Sequence, residues 1–172
     1  MSASAPGETV GHVSFERERG VYQVQVTEHL AHAVVAVKPE ENRNERIQQL
    51  FDTLRKNTIP IFLIKLHSSA VTFAVDSEFL AGAEKCVKEA GFTVQTRTGL
   101  ALLTINASSM RDLSGVMVNI ADSLAAAGAR LYGVGDSHNS VQCLIDGQNV
   151  DAAVSQIKKT FGLPQSSGGS NG

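Results

Sequence analysis

The sequence predicts an α+β fold: two ferredoxin-like βαββαβ units in tandem, interleaved, with a leading strand that completes the second sheet. Three observations carry this. First, segments of strand period and helix period follow one another in the order β, α, β, β, α, β and then begin that order again. Second, an offset of 70 residues lays the first series on the second without a gap: Leu54 falls on Leu124, Val71 on Val141, Asp76 on Asp146, Ala83 on Ala153, Val87 on Ile157 and Lys88 on Lys158. Helical and strand positions stay in phase together, which is the mark of an internal repeat. Third, the second series ends without its last strand, while an unmatched strand stands before the first. An unpaired sheet edge is an aggregation hazard, so the spare strand is expected to close the second sheet.

Each element has its own signal. Tyr22, Val24 and Val26 alternate with Gln23 and Gln25, which is a strand, and a second strand is expected from Ala33 to Val37. Pro39 and the polar run to Asn44 break the chain. Ile47, Leu50, Phe51 and Leu54 then mark one helical face over Glu45 to Arg55, capped by Asn42 or Asn44. Ile59 to Leu66 and Ala70 to Val75 read as strands around His67-Ser68-Ser69, and Asp76 or Ser77 can cap a helix with Leu80, Ala83, Val87 and Ala90 inward. Gly91 stops that helix, and a strand from Phe92 to Arg97 closes the unit. The second unit repeats this. A strand at Leu100 to Ile105 precedes a helix with Met117, Ile120 and Leu124 inward that stops at Gly128. Strands at Leu131 to Val134 and Val141 to Ile145 and a helix from Val150 to Phe161 complete it. The expected organisation is a disordered segment 1–18, a leading strand 19–28 belonging to the second unit, a first unit 29–99, a second unit 100–163 and a disordered tail 164–172.

Composition narrows the function. With 42% hydrophobic residues, 19% charged and a net charge of -2, the chain offers no basic field for nucleic acid or an anionic membrane. No Trp, two Tyr and seven Phe leave little to stack bases on. No apolar run approaches the ~18 residues of a membrane span, and the first residues lack the features of a secretory signal. Cys86 and Cys143 read as buried thiols of a reducing compartment, so the expected location is the cytoplasm. Arg43, Arg46, Arg55, Lys56 and Lys65 are interspersed with acids and read as a solvated face. His29 and His32 lack a third metal ligand in sequence reach, and Asp136, Ser137 and His138 on one turn cannot form a catalytic triad. No metal and no cofactor are expected.

The stretch from Asn106 to Val116 joins a strand to a helix N-terminus through a polar loop. Unpaired N–H groups and the helix dipole suit a small anion there. Its surroundings carry a family resemblance, running from about Gly20 to Leu163. Val-Asn-Ile-Ala-Asp-Ser-Leu-Ala-Ala-Ala-Gly-Ala-Arg-Leu from Val118, and Asn-Val-Asp-Ala-Ala-Val-Ser-Gln-Ile-Lys-Lys-Thr-Phe-Gly-Leu ending at Leu163, resemble the paired ACT domains of the aspartokinase regulatory region. Met110-Arg111 followed by Ser114-Gly115-Val116 is similar to that family's first loop.

The resemblance implies a non-catalytic regulatory protein that binds a free amino acid, lysine- or threonine-like, at an interface between ACT units, commonly across a homodimer. The implied contacts are Ser108, Ser109, Met110, Arg111, Asp112, Leu113, Ser114 and Gly115 in the loop, faced by Gly135, Asp136 and Ser137. It also implies a catalytic partner of the amino-acid kinase type, since this chain holds neither a Gly-rich nucleotide loop nor room for a kinase domain. The first unit's loop departs from the pattern: Asn42, Asn44 and Glu45 stand where Asp, Pro and Gly are expected. Glu45 brings a Cβ and a negative charge to the position a carboxylate must approach, so this loop is not expected to hold the usual effector. The second loop keeps Gly115, with Ser114 in place of Pro and Ser108-Ser109 in place of glycine. Two alternatives stay open: an assembly module that binds no ligand, and an acyl-phosphate hydrolase on the same scaffold. The latter would need a basic cradle, for which the loop offers Arg111 alone.

Overall fold

A computed structural model describes residues 20–108 and 113–165. The elements in chain order are β1 (Val21–Ala36), α1 (Arg43–Lys56), β2 (Ile61–Leu66), β3 (Ala70–Asp76), α2 (Leu80–Glu89), β4 (Val94–Ala107), α3 (Leu113–Ala126), β5 (Leu131–Asp136), β6 (Ser140–Asp146) and α4 (Val150–Thr160). The strands form one antiparallel sheet in the order β2-β3-β1-β4-β6-β5.

The leading residues pair where the interleaving requires. Val24 lies opposite Ile105 and Val26 opposite Leu103, so the start of β1 takes the fourth-strand place beside the second unit. Further along the same strand, Val35 lies opposite Val71 on one side and Val94 on the other. Where four separate strands were expected, two long ones are found. The chain passes from one unit into the other without reversing, through a bulge in each strand. His29 (φ 60) and Gly99 (φ 69) take left-handed backbone there, and the β1–β4 register shifts between Thr27 and Leu30 and again between Leu30 and His32. The two residues stand 70 positions apart, so the bend is itself part of the repeat.

Alternation along these strands divides the apolar side chains among three clusters. Ala33, Val35, Val71 and Phe73 pack under α1 and α2 with Leu50, Leu54 and Val87. Leu103, Ile105, Cys143 and Ile145 pack under α3 and α4 with Ile120, Leu124 and Ile157. The intervening positions Leu30, Ala74, Leu100, Leu102 and Leu144 form the third cluster on the helix-free face, joined by Phe62, Leu63 and Tyr132. β2 and β5 stand at opposite ends of the strand order and yet touch, so the sheet is folded over at its bulges with the third cluster inside. A bulge in β2, where Leu63 has φ 49, lets both Phe62 and Leu63 reach that cluster.

All four helices end in the same way. In α1 the Thr58 N–H donates to Arg55 O and the Ile59 N–H to Leu54 O, the paired bonds of a Schellman motif. Gly91, Gly128 and Gly162 occupy the corresponding left-handed position after α2, α3 and α4, with φ 85, 68 and 67, whereas α1 uses Thr58 at φ 55. At the other end Asn42 stands at the N-cap of α1 without a side-chain cap bond. Asp76 does cap, its Oδ1 accepting the Glu78 N–H at 3.1 Å across a 3-10 turn, Ser77–Phe79, that precedes α2. Both cysteines are free and buried; burial raises both thiols, Cys143 to about 12, which suits packing and not nucleophilic chemistry.

Candidate functional site

The end of β4, the start of α3 and the β5–β6 hairpin converge at one end of the second unit. The Ala107 N–H donates to Asn139 O at 2.9 Å, which ties the strand end to the hairpin. The Ser108 N–H donates to Gly20 O at 3.0 Å, and Ser108 Oγ accepts the Gly20 N–H at 3.2 Å. The entrance of the loop is thus held between the hairpin and the leading strand. Ser109, Met110, Arg111 and Asp112 lie outside the described residues. Beyond them Leu113 opens α3 and packs against the second core, Ser114 is exposed and Gly115 is half-buried in the first turn. Among the described residues no acidic side chain stands in that first turn.

The three facing residues separate. Strand alternation points Val134 to the second core, so Asp136 follows on the helix side, exposed at the end of β5. Gly135 is turned the other way: a Cβ there would stand 2.6 Å from Leu63 Cδ2, so the glycine makes room for the contact between β2 and β5. Ser137 is taken up by the hairpin itself, its N–H donating to Ser140 O at 2.9 Å and its Oγ lying 2.7 Å from Ser140 Oγ. The described residues thus tie Ser108 to the leading strand and Ala107 to the hairpin, and turn Gly135 toward Leu63. His138 is exposed on the same turn.

The first unit repeats this frame and fills it. The Val37 N–H donates to Ser69 O at 2.9 Å and the His67 N–H to Ala70 O at 2.8 Å, the same two bonds 70 residues earlier. Arg43 stands where the second unit has Leu113, and its Nη2 donates to His67 O, so a guanidinium spans from the start of α1 to the hairpin. Glu45, at the place of Gly115, is exposed in the first turn of α1. The first cleft is latched by its own side chain, and the second has an apolar residue where the latch would be.

Of the basic residues expected on a solvated face, Lys56 and Lys65 are exposed, and the arginines make contacts of their own. Arg46 lies 4.0 Å over the Phe92 ring and Arg55 pairs with Asp52 at 3.3 Å. The Arg43 latch was missed in the sequence, where it looked like one charge among several. His29 and His32 part company: His29 is exposed at the bulge, and His32 is half-buried and directly opposite Ala74 and Arg97 in the register. Among the described residues no three His, Cys, Asp or Glu side chains are grouped to hold a metal ion, and no helix is long and apolar enough to cross a membrane.

No family model matches the sequence, and no curated protein matches it. Solved structures do match the fold. The ligand-free regulatory subunit of aspartate kinase from Thermus thermophilus is 16% identical, with a TM-score of 0.71 over 82% of this chain and 98% of that one. A structure of aspartokinase alpha and beta subunits is 19% identical, with a TM-score of 0.75 over 83% of this chain and 99% of that chain. Aspartate kinase from Clostridium acetobutylicum is 11% identical, with a TM-score of 0.74 over 83% of this chain and only 35% of its own. The fold is the one found in the regulatory subunit of aspartate kinase, with paired ferredoxin-like units sharing one sheet.

Proposed function

We propose that this chain is a non-catalytic regulatory protein of the cytoplasm that binds a small amino acid at the Gly115 cleft and passes the binding on to a partner enzyme of the amino-acid kinase type. The observation that carries the reading is the end-to-end likeness to the regulatory subunit of aspartate kinase from Thermus thermophilus, which this fold spans over 98% of its length.

The chemistry of the second cleft supports a zwitterionic ligand. The first-turn amides of α3 suit a carboxylate, Gly115 keeps side-chain bulk away from them, and Asp136 offers a partner for an ammonium group. Ser108 to Gly115 would form the inner wall, and the hairpin at Asp136 and Ser137 the outer one. The latched first cleft is left to structure. A homodimer through ACT units would bring a second copy against the open side.

A thermal-shift screen against the twenty amino acids tests this. A ligand of the folded state at about 100 times its dissociation constant adds ~2.7 kcal/mol. One or two amino acids should raise the midpoint, and Gly115→Glu should abolish the rise. If none raises it, the sensor reading fails.

A second reading is an assembly module without ligand. It is favoured by the exposed apolar residues of the edge strand β2, where Ile64 is 44% and Leu66 59% exposed. A stable dimer that responds to no amino acid, and that Leu66→Lys dissociates, would select it.

A further inference from the structure

At the bulge of β4, away from the Gly115 cleft, lies a cavity of about 420 Å³, lined by Arg97, Gly99, Gly128, Arg130, Tyr132 and Gln148 among others. The two places are well separated. Leu100 pairs with Asp146 beside the cavity and Asn106 with Ser140 beside the loop, about 20 Å of strand apart.

Two guanidinium groups converge on one ring here. Arg97 Cζ is 4.9 Å and Arg130 Cζ 5.5 Å from the centroid of Tyr132. The contact holds both side chains in place without neutralising either. Among the described residues the ion pairs are Arg55–Asp52 and Lys88–Glu84, so neither cavity arginine has a carboxylate at salt-bridge distance. Asp146 also lines the cavity, and both its oxygens are engaged: Oδ1 accepts the Arg130 N–H at 2.6 Å and Oδ2 accepts from Asn149 Nδ2. It offsets one charge of the two and leaves the guanidinium groups to face the cavity.

The repeat supplies a control for whether the fold needs these groups. Seventy residues earlier, Thr27, Pro60, Phe62 and Glu78 stand at the places of Arg97, Arg130, Tyr132 and Gln148. The equivalent place 70 residues earlier has the same strand bend and the same β3–helix junction with no arginine and with an added carboxylate. The arginine pair is therefore not a requirement of the architecture.

We propose that this cavity is a second ligand site, distinct from the Gly115 cleft, for a small dianionic oxyanion: a phosphate ester or a dicarboxylate. Arg97 and Arg130 supply forked donors that match either group. Gly99 and Gly128 leave the approach free of side chains, and Gln148 can donate from the rim. Arg97 belongs to the part of β4 paired with the first unit's stretch of β1, while Arg130 leads into β5 of the second. A ligand held by both would tie the two halves of the folded sheet together.

The test is a titration of the full chain with inorganic phosphate, and separately with succinate, at constant ionic strength, followed by the amide resonances of Gly99 and Gly128. The expected result is a saturable shift that weakens at least tenfold in Arg97→Gln and in Arg130→Gln, with Lys56→Gln and Gly115→Glu like the parent. Both arginines are exposed, and their thermal midpoints report whether the variants fold. Phosphate alone saturating identifies a phosphate ester, and succinate alone a dicarboxylate. A response that never saturates, that survives both arginine substitutions, or that falls equally in Lys56→Gln overturns the site.

Discussion

Thr58→Gly should stabilise this protein. Thr58 takes φ 55 at the position where the other three helices place Gly91, Gly128 and Gly162. A left-handed L-residue costs about 1–2 kcal/mol, and β-branching places Thr toward the upper part of that range. Glycine removes that cost but gives the unfolded chain more freedom, which takes back roughly 0.4–1 kcal/mol. Thr58 is exposed and its side chain makes no hydrogen bond among the described residues that the change would remove, so its backbone bond to Arg55 O and that from Ile59 to Leu54 O carry over unchanged. The net gain is about 0.5–1 kcal/mol, or roughly 1–4 °C in a chain of this size. The reciprocal change, Gly128→Thr, puts the same strain into the second unit and should lower stability by about 1 kcal/mol or more. Chemical denaturation of the two variants, with slopes compared to exclude a change in the unfolded state, measures both. A Thr58→Gly protein no more stable than the parent, beside a Gly128→Thr protein no less stable, would refute the claim that backbone conformation sets these positions.

Two further outcomes follow from the pairing and from the inner face. Removing residues 1–28 strips the partner from Leu102 to Ala107 of β4, so amides of Ile105 and Cys143 should lose hydrogen-exchange protection while Val71 and Phe73 keep most of theirs; unchanged thermal unfolding would mean the strand does not stabilise the second unit. His32 is held below its ordinary 6.5 by burial first, then by His67 and Arg97. The unfolded chain then binds the proton more readily, so this contribution to stability is intact above about pH 6.5 and is lost as the pH falls through 6.5 toward the folded value. His32→Leu, which copies Leu102 of the second unit, should flatten urea stability between about pH 5 and 7, and an unaltered slope would show that His32 does not set it.

The repeat was legible because apolar residues recur at fixed period in both copies, and period survives even where residue identity does not. What escaped was continuity. His29 and Gly99 looked like junctions between strands, since a polar residue or a glycine inside a strand pattern resembles a turn. A bulge and a turn share left-handed backbone, and they differ in whether the chain then reverses, which depends on the neighbouring strand. The folding-over of the sheet was hidden for a related reason. Leu30, Leu100, Leu102 and Leu144 were visibly apolar, but their face could be assigned only once β2 and β5 were seen to meet. The Gly115 loop was found from its place before a helix, as strand–loop–helix joints can be. Gly135 was placed beside it by alignment alone, and strand alternation turns it toward Leu63 instead.

Two copies of one unit in one chain separate what the fold requires from what it merely permits. The strand-end bonds Val37 to Ser69 and Ala107 to Asn139 are common to both copies, as is the left-handed bend at His29 and Gly99; these belong to the architecture. Arg43 against Leu113 and Thr27 and Pro60 against Arg97 and Arg130 differ, and they differ in one direction. The first unit closes its cleft with its own guanidinium and carries Glu78 after β3, whereas among the described residues the second has Leu113 in the place of the latch and Gln148 in the place of Glu78, and Arg97 meets Arg130 over Tyr132 where the two halves join. An internal cation at the first cleft makes an external ammonium redundant there, and Glu78, at the place of Gln148, repels an anion. The features that favour small charged ligands therefore fall at the junction of the two halves and in the cleft of the second unit, the one whose sheet is completed by the leading strand. Any ligand that stabilises that unit also stabilises the β1–β4 pairing, and through the shared strands the packing of the first unit against it.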